Sequence, residues 1–179
     1  MIHYADDTTL TTTINTSQTA ENDINNQLNS IYTWLNANKL VLNISKTKYI
    51  IFHTPQRSIT PPQLHINNIP IVRVQEFDFL GITLNQHMTW KNHIKKVSTK
   101  IAKTSGILNK IKNYMPKYIL LQLYHSLILP HLNYGILVWG HNTNSLLLLQ
   151  KRIIRTITNS KYNAHTDPLF RQLNLLKIH

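Results

Sequence analysis

The period at which apolar residues recur changes near Thr89, and this change constrains the fold more than any other feature of the sequence. Before it, short alternating and β-branched segments predict strands, with one amphipathic helix among them. After it, apolar residues recur at helical spacing almost to the end of the chain. The 179 residues are enough to bury a core. The sequence therefore predicts an α+β fold, with a mixed segment at residues 1–86 and an all-helical segment at residues 87–179.

The mixed segment begins with a predicted β-hairpin whose tip carries Asp6 and Asp7. Apolar residues at helical spacing then predict an amphipathic helix over residues 17–38. Short apolar runs predict strands at residues 40–42 and 49–52, and two more within residues 63–84. Asn67 and Asn68 should join the last two strands, because asparagine tolerates the positive φ angles of a tight hairpin turn.

The helical segment begins with a predicted helix over residues 90–113 that has two unlike faces. One face is apolar and carries Trp90, Ile94, Val97, Ile101 and Leu108. The opposite face is cationic and carries Lys91, Lys95, Lys96, Lys103 and Lys110. One face should therefore pack, and the other should be positively charged. Further helices are predicted at 117–129, ended by Pro130, at 144–158 and at 167–178. Trp34, Trp90 and Trp139 are expected in the core, because each lies in an apolar periodic segment.

The charge of the chain is strongly positive and unevenly distributed. Nineteen Lys and Arg residues oppose seven Asp and Glu residues, for a net charge of +12, and no acidic residue lies between Phe79 and Thr166. Such a cationic segment attracts polyanions, either nucleic acid or an anionic membrane surface. The absence of cysteine excludes disulfides and cysteine-ligated metals. With no secretion signal and no long apolar window, we expect a soluble, intracellular chain, cytoplasmic or nuclear.

The adjacent carboxylates of Asp6 and Asp7 are the residues that most suggest chemistry. Two negative charges a few ångströms apart repel each other unless a cation lies between them. Carboxylate oxygens suit Mg²⁺, which polymerases use to activate the attacking hydroxyl and to stabilise the leaving group. A solvated Asp-Asp turn is the alternative interpretation, because aspartate is common in turns.

Several segments in order along the chain resemble one enzyme family. Tyr4-Ala5-Asp6-Asp7 resembles the YADD box of reverse transcriptases. Residues 34–48 and Phe52, in the sequence WLNANKLVLNISKTK and F, resemble the next palm motif of the reverse transcriptases of non-LTR (LINE-type, jockey-like) retrotransposons. Residues 79–84, FLGITL, are similar to the primer-grip segment of that family. Residues 130–135, PHLNYG, and 138–140, VWG, resemble its thumb and downstream region.

This resemblance implies an RNA-directed DNA polymerase that performs two-metal nucleotidyl transfer with Mg²⁺, an RNA template, a DNA primer and dNTP. It implies a partial polymerase palm, built from antiparallel hairpins and one packing helix, followed by a helical, thumb-like bundle. Asp6 would ligate Mg²⁺, Asp7 would support or join it, and Tyr4 would pack near the primer terminus. Lys46 would be a catalytic general acid near the pyrophosphate, or else a surface lysine in a turn.

The resemblance also implies how the primer and template are held. Phe79, Leu80 and Gly81 would form the primer grip, although core packing is an equal alternative for Phe79 and Leu80. The lysines of the 90–113 helix, Lys91, Lys95, Lys96, Lys103 and Lys110, would follow the nucleic-acid backbone, or else form a solvated face.

The third metal-binding aspartate of the family and its fingers precede the YADD box. We therefore expect this chain to be a fragment that is inactive alone. A basic nucleic-acid-binding module without catalysis is the main alternative, and a peripheral membrane binder is a weaker one.

Overall fold

The structure is a computed structural model that describes residues 2–4, 7–13 and 18–178. The chain forms two compact units, residues 1–75 and residues 76–179. The division lies earlier than the expected boundary at residue 86, because a hairpin before that boundary belongs to the helical unit. Ile82 and Leu84 of this hairpin pack against the helical core. Both units together give the predicted α+β class.

The first unit begins with the predicted hairpin. Strand β1 (Ile2–Tyr4) pairs antiparallel with β2 (Asp7–Thr9), and Tyr4 lies opposite Asp7. Helix α1 (Gln18–Ala37) follows, close to the predicted limits. Trp34 is 48% exposed, so its expected core position is wrong.

A small apolar core joins α1 to the strands after it. Its buried residues are Ile24, Leu64, Ile66 and Ile71. Asn25 adds two polar contacts, since its Oδ1 accepts the His65 N–H (2.9 Å) and its Nδ2 donates to the Gln63 carbonyl (3.1 Å). The apolar face predicted for α1 is therefore the face that packs.

The remaining strands are shorter than predicted. They are β3 (Lys48–Tyr49), β4 (His65–Ile66), β5 (Ile69–Pro70) and β6 (Val72–Arg73). β4 and β5 form the predicted hairpin, with φ angles of 49° at Asn67 and 61° at Asn68. β3 pairs with β6 in parallel, in addition to the expected antiparallel hairpins.

The strand predicted at residues 40–42 is absent from the described structure, because the flanking turns take up this segment. Lys39 adopts a φ of 58°, and the Leu40 N–H donates to the Leu35 carbonyl (2.9 Å), which closes the end of α1. A turn built on Asn43 follows at once. Neither turn leaves residues 40–42 aligned with a partner strand.

The second unit consists of one hairpin and a helical bundle. Its elements are β7 (Glu76–Phe79), β8 (Ile82–Asn85), α2 (Lys91–Ile111), α3 (Lys117–Leu127), α4 (Leu129–Asn133), α5 (Ile136–Trp139), a 3₁₀ turn (Gly140–Asn142), α6 (Asn144–Ile157) and α7 (Thr166–Gln172). The sequence predicts that Pro130 ends α3, but α3 ends earlier, at Leu127. Pro130 lies in the first turn of α4, where proline is tolerated.

The core of the second unit lies between α2, α3 and α6. The predicted apolar face of α2 is buried in full, and Trp139, Tyr124 and Ile153 are inaccessible beside it. The sequence predicts a helix up to residue 178, but α7 ends at Gln172 and residues 173–178 are not helical. The Gln150 side chain binds this segment, because its Nε2 donates to the Leu176 carbonyl (2.9 Å) and its Oε1 accepts the Ile178 N–H (3.0 Å). None of the helices in the described ranges has the length and apolar content needed to cross a bilayer.

Candidate nucleic-acid interface

The turn of the β7–β8 hairpin is formed by two of the predicted primer-grip residues. Phe79 lies opposite Ile82, and Leu80 and Gly81 between them have φ angles of 46° and 79°. Consecutive positive φ angles are typical of the tight turns that suit twisted hairpins. Glycine adopts this conformation freely, whereas at Leu80 it costs about 1 kcal/mol. Leu80 and Gly81 are exposed and Phe79 is half-buried.

Tyr134 holds this turn from the loop between α4 and α5. Its hydroxyl donates to the Leu80 carbonyl (2.5 Å), and the edge of its ring lies 3.5 Å from where a Cβ on Gly81 would be. The Tyr134 carbonyl in turn accepts the indole N–H of Trp139 (2.8 Å). The strained turn is therefore supported by a hydrogen-bonded loop. The sequence predicted no contact for Tyr134, which it placed only in the thumb-like segment PHLNYG.

His93 joins α2 to β8 inside the second unit. Its Nδ1 accepts the Thr83 backbone N–H (3.2 Å), and its ring packs against Trp139 with centroids 5.2 Å apart. Burial lowers the pKa of His93 below its ordinary value, although Asp78 opposes this shift. Because Nδ1 accepts the Thr83 N–H, the neutral imidazole carries its proton on Nε2. This contact holds the hairpin at the start of α2.

Lys96 is set apart from the other predicted phosphate-binding lysines by two carboxylates. Its Nζ lies 2.8 Å from Asp78 Oδ1 and 3.7 Å from Glu76 Oε1. Asp78 also accepts a hydrogen bond from the Thr83 hydroxyl (2.6 Å). The Lys96 hydrogen bond, with that of Thr83, lowers the pKa of Asp78. The same bond to Asp78 raises the pKa of Lys96. Lys96 thus links β7 to α2 and carries less uncompensated charge.

A cleft of about 340 Å³ lies beside the turn. Its lining includes Gly81, Tyr134, His131 and Lys100, together with the Lys96 and Asp78 pair. The other predicted phosphate-binding lysines of α2 are also exposed, and they are Lys91, Lys95, Lys103 and Lys110. The helix has 21 residues and is therefore about 30 Å long. The cleft therefore connects the turn to α2, through Lys96 and Lys100.

The predicted catalytic residues belong to the first unit. Tyr4 and Asp7 end the paired strands β1 and β2, where the backbone places them opposite each other, while Asp6 lies outside the described residues. Lys46 is exposed in the Asn43 turn, where its N–H donates to the Asn43 carbonyl (3.2 Å). Asn43 Oδ1 also accepts the Ser45 hydroxyl (2.7 Å), so this side chain shapes the turn, a role that the sequence prediction missed.

A Mg²⁺ ion needs more ligands than the described residues bring together. Nowhere in the described ranges do three or more His, Asp or Glu side chains lie in an arrangement that could hold a metal. The hairpin contributes Asp7, and Asp6 precedes it in the sequence. Carboxylate oxygens are hard ligands of the kind that Mg²⁺ prefers.

Comparison with curated proteins finds relatives along almost the whole chain. The chain is 26% identical to the RNA-directed DNA polymerase from mobile element jockey of Drosophila melanogaster, over 98% of its own length. It is 24% identical to the probable RNA-directed DNA polymerase from transposon X-element of the same species, also over 98%. The corresponding protein from transposon BS is 27% identical over 96%.

The chain is a relative of the RNA-directed DNA polymerases of non-LTR retrotransposons. The resemblance inferred from the YADD box and the segments after it is thereby confirmed. The chain spans about one fifth of the length of these relatives. No family model matches it, and no solved structure matches it.

Proposed function

We propose that this chain is the part of an RNA-directed DNA polymerase that carries the YADD hairpin and the primer-binding and thumb-like elements after it. The match over 98% of the chain is the observation that carries the proposal. The whole enzyme would copy an RNA template by extending a DNA primer with dNTP in the presence of Mg²⁺. This chain would contribute part of the palm with its first unit and the thumb with its second.

The second unit contributes binding rather than chemistry in this proposal. The backbone at Leu80 and Gly81 is exposed and held by Tyr134, which suits a rigid contact with the primer. Lysines on α2 bind phosphates without reading the bases. Lys91, Lys95, Lys103 and Lys110 are exposed for this role, whereas Lys96 is engaged by Asp78 and contributes least.

The first unit contributes the carboxylates. Asp6 and Asp7 would provide ligands to Mg²⁺, which would activate the primer hydroxyl when bound. Tyr4 would lie near the primer terminus, and Lys46 near the leaving pyrophosphate. The described residues bring together no group of three or more His, Asp or Glu side chains for a metal, so we expect this polypeptide alone to incorporate no dNTP on a primed RNA template. Mg²⁺-dependent incorporation that Asp6→Asn abolishes would contradict this expectation.

The salt dependence of duplex binding tests the proposal. The full chain is titrated with a labelled RNA–DNA hybrid at several salt concentrations. In a double variant with Lys103→Gln and Lys110→Gln, the plot of log affinity against log salt concentration should become less steep. The slope should change by about 0.9 for each phosphate that the variant no longer neutralises. The matched control changes Lys48→Gln with Lys161→Gln, two lysines that are also exposed, and should keep the original slope. Equal slopes for both double variants would refute the lysine face as the binding surface.

A further inference from the structure

Two tyrosines are exposed where α2 is followed by α3, Tyr114 in the connecting turn and Tyr118 in the first turn of α3. Tyr114 is 84% exposed and Tyr118 is 64% exposed, and the exposed Met115 lies between them in sequence. We propose that residues 110–118, the aromatic turn, bind unpaired nucleotides of a single-stranded nucleic acid by stacking bases on the tyrosine rings. This inference rests on the proposed function, which supplies the nucleic acid, and adds a site for its unpaired part.

The backbone of the aromatic turn is fixed although its side chains are exposed. The Tyr114 and Met115 N–H groups both donate to the Ile111 carbonyl, at 2.9 and 3.1 Å. On either side, Leu108 of α2 and Leu120 of α3 are buried in the core of the second unit. A rigid turn loses little conformational entropy when it binds a ligand. The backbone that carries Tyr114 therefore needs little ordering on binding.

The charge around the aromatic turn is complementary to phosphate. Lys110 and Lys117 are exposed and Lys112 is half-buried, and no acidic residue lies between residues 79 and 166. Lysines that follow the backbone, interleaved with aromatic rings, are the combination that binds single strands without base preference. A purely apolar partner would leave these ammonium groups without a counter-charge. The composition of the turn thus favours a single strand.

The aromatic turn continues the cationic face of α2. Lys103 and Lys110 point away from the core along the last turns of α2, and Tyr114 follows Lys110 by one helical turn of sequence. A strand whose paired part lies on the lysines can therefore continue, unpaired, onto the tyrosines. The binding of duplex and single strand would then be separable by mutation.

Fluorescence anisotropy with the full chain tests this separation. One probe is a labelled oligodeoxythymidine of ~12 nucleotides, a length within the range of single-strand sites; the other is a blunt RNA–DNA hybrid. Tyr114→Ala and Tyr118→Ala should each weaken binding of the single strand by about tenfold, the effect of one stacked base. Binding of the blunt hybrid should not change. Tyr114→Phe and Tyr118→Phe should keep the original affinity for both probes, because the ring remains.

Tyr162→Ala is the matched control, since Tyr162 is an 89% exposed tyrosine of the same unit outside the turn. It should leave both affinities unchanged. Unchanged single-strand affinity in the alanine variants would overturn the proposal, and so would equal losses in the phenylalanine variants. Loss of binding to phosphatidylserine vesicles, with single-strand binding intact, would assign the turn to a membrane and also overturn it.

Photo-crosslinking of the original chain keeps the test decisive if an alanine variant fails to fold. A strand containing 5-iododeoxyuridine should crosslink to Tyr114 or Tyr118, and crosslinks confined to other residues would overturn the proposal. Failure of the proposed function has a different signature, because binding of the blunt hybrid would then be absent or independent of Lys103 and Lys110.

Discussion

Tyr134 stabilises a backbone conformation that the residues of the turn do not favour alone. Leu80 adopts a φ of 46°, and its carbonyl accepts the Tyr134 hydroxyl. The same tyrosine lies against Gly81, where a side chain would need a positive φ of 79°. The Tyr134 hydroxyl therefore stabilises the conformation of the predicted primer-grip turn.

Replacing Tyr134 with phenylalanine removes this hydroxyl and keeps the ring. We expect Tyr134→Phe to lower the free energy of unfolding by about 1 kcal/mol, the usual contribution of one hydrogen bond. Urea unfolding followed by tryptophan fluorescence measures the change. Tyr118→Phe, at an exposed tyrosine, serves as control and should leave the midpoint unchanged. Equal midpoints for all three proteins would show that the hydrogen bond does not support the turn.

His93 makes the stability of the second unit sensitive to pH. Burial lowers its pKa, with a further contribution from Lys96 and Lys100 and an opposing one from Asp78. The unfolded chain therefore takes up a proton near the ordinary histidine pKa of about 6.5, which the folded unit resists. The stabilising effect of the neutral imidazole is complete above this pH and is lost as the pH falls below it.

The variant His93→Asn tests this dependence, because the asparagine carbonyl can still accept the Thr83 N–H. Its unfolding free energy should be lower at pH 7 but should fall less steeply between pH 7 and about 5.5 than that of the original chain. His141→Asn, at an exposed histidine, should retain the original slope. If His93→Asn also retained it, His93 would not be the group responsible.

Two glycines of the second unit differ in whether their backbone conformation requires glycine. Gly106 lies inside α2 with open space where a Cβ would be, whereas Gly81 has a φ of 79° in the β7–β8 turn. We expect Gly106→Ala to stabilise the second unit by about 0.5–1 kcal/mol through the helix propensity of alanine. Gly81→Ala should destabilise it by about 1 kcal/mol. Thermal unfolding compares the two, and shifts of the same sign would contradict the assigned conformations.

The elements that the sequence predicts correctly are those whose signal is local. The alternation of apolar and lysine residues along α2 and the Asn67-Asn68 pair each determine their own backbone. The prediction for residues 40–42 is wrong because two neighbouring turns take up the segment, and the prediction for residues 173–178 is wrong because a distant side chain binds them. The former lie between the end of α1 and the Asn43 turn, and the latter are bound by Gln150. Tyr134 could not be assigned to Leu80 for the same reason, since 54 residues separate the pair.

The whole molecule has two cores of very different size. The first unit buries Ile24, Leu64, Ile66 and Ile71, whereas the core of the second extends from Trp90 to Ile178. Because burial of apolar surface is the main stabilising contribution, the first unit should be the less stable.

Limited proteolysis checks this difference in stability. We expect the first cuts by trypsin and chymotrypsin to fall within residues 1–75, leaving a resistant fragment that contains residues 76–179. The rates should follow the free energy of local opening, which is lowest where few apolar side chains are buried. Early cuts confined to residues 90–157 would show the reverse order of stability.

We propose that the second unit lies along the primer and template of an RNA-directed DNA polymerase. Photo-crosslinking tests it most directly, with the full chain bound to a primed RNA template that carries 4-thiothymidine near the primer terminus. Mass spectrometry should find crosslinked peptides that contain residues 79–81 and peptides from the lysine face of α2. Crosslinks restricted to residues 158–178, with binding retained, would contradict the claim.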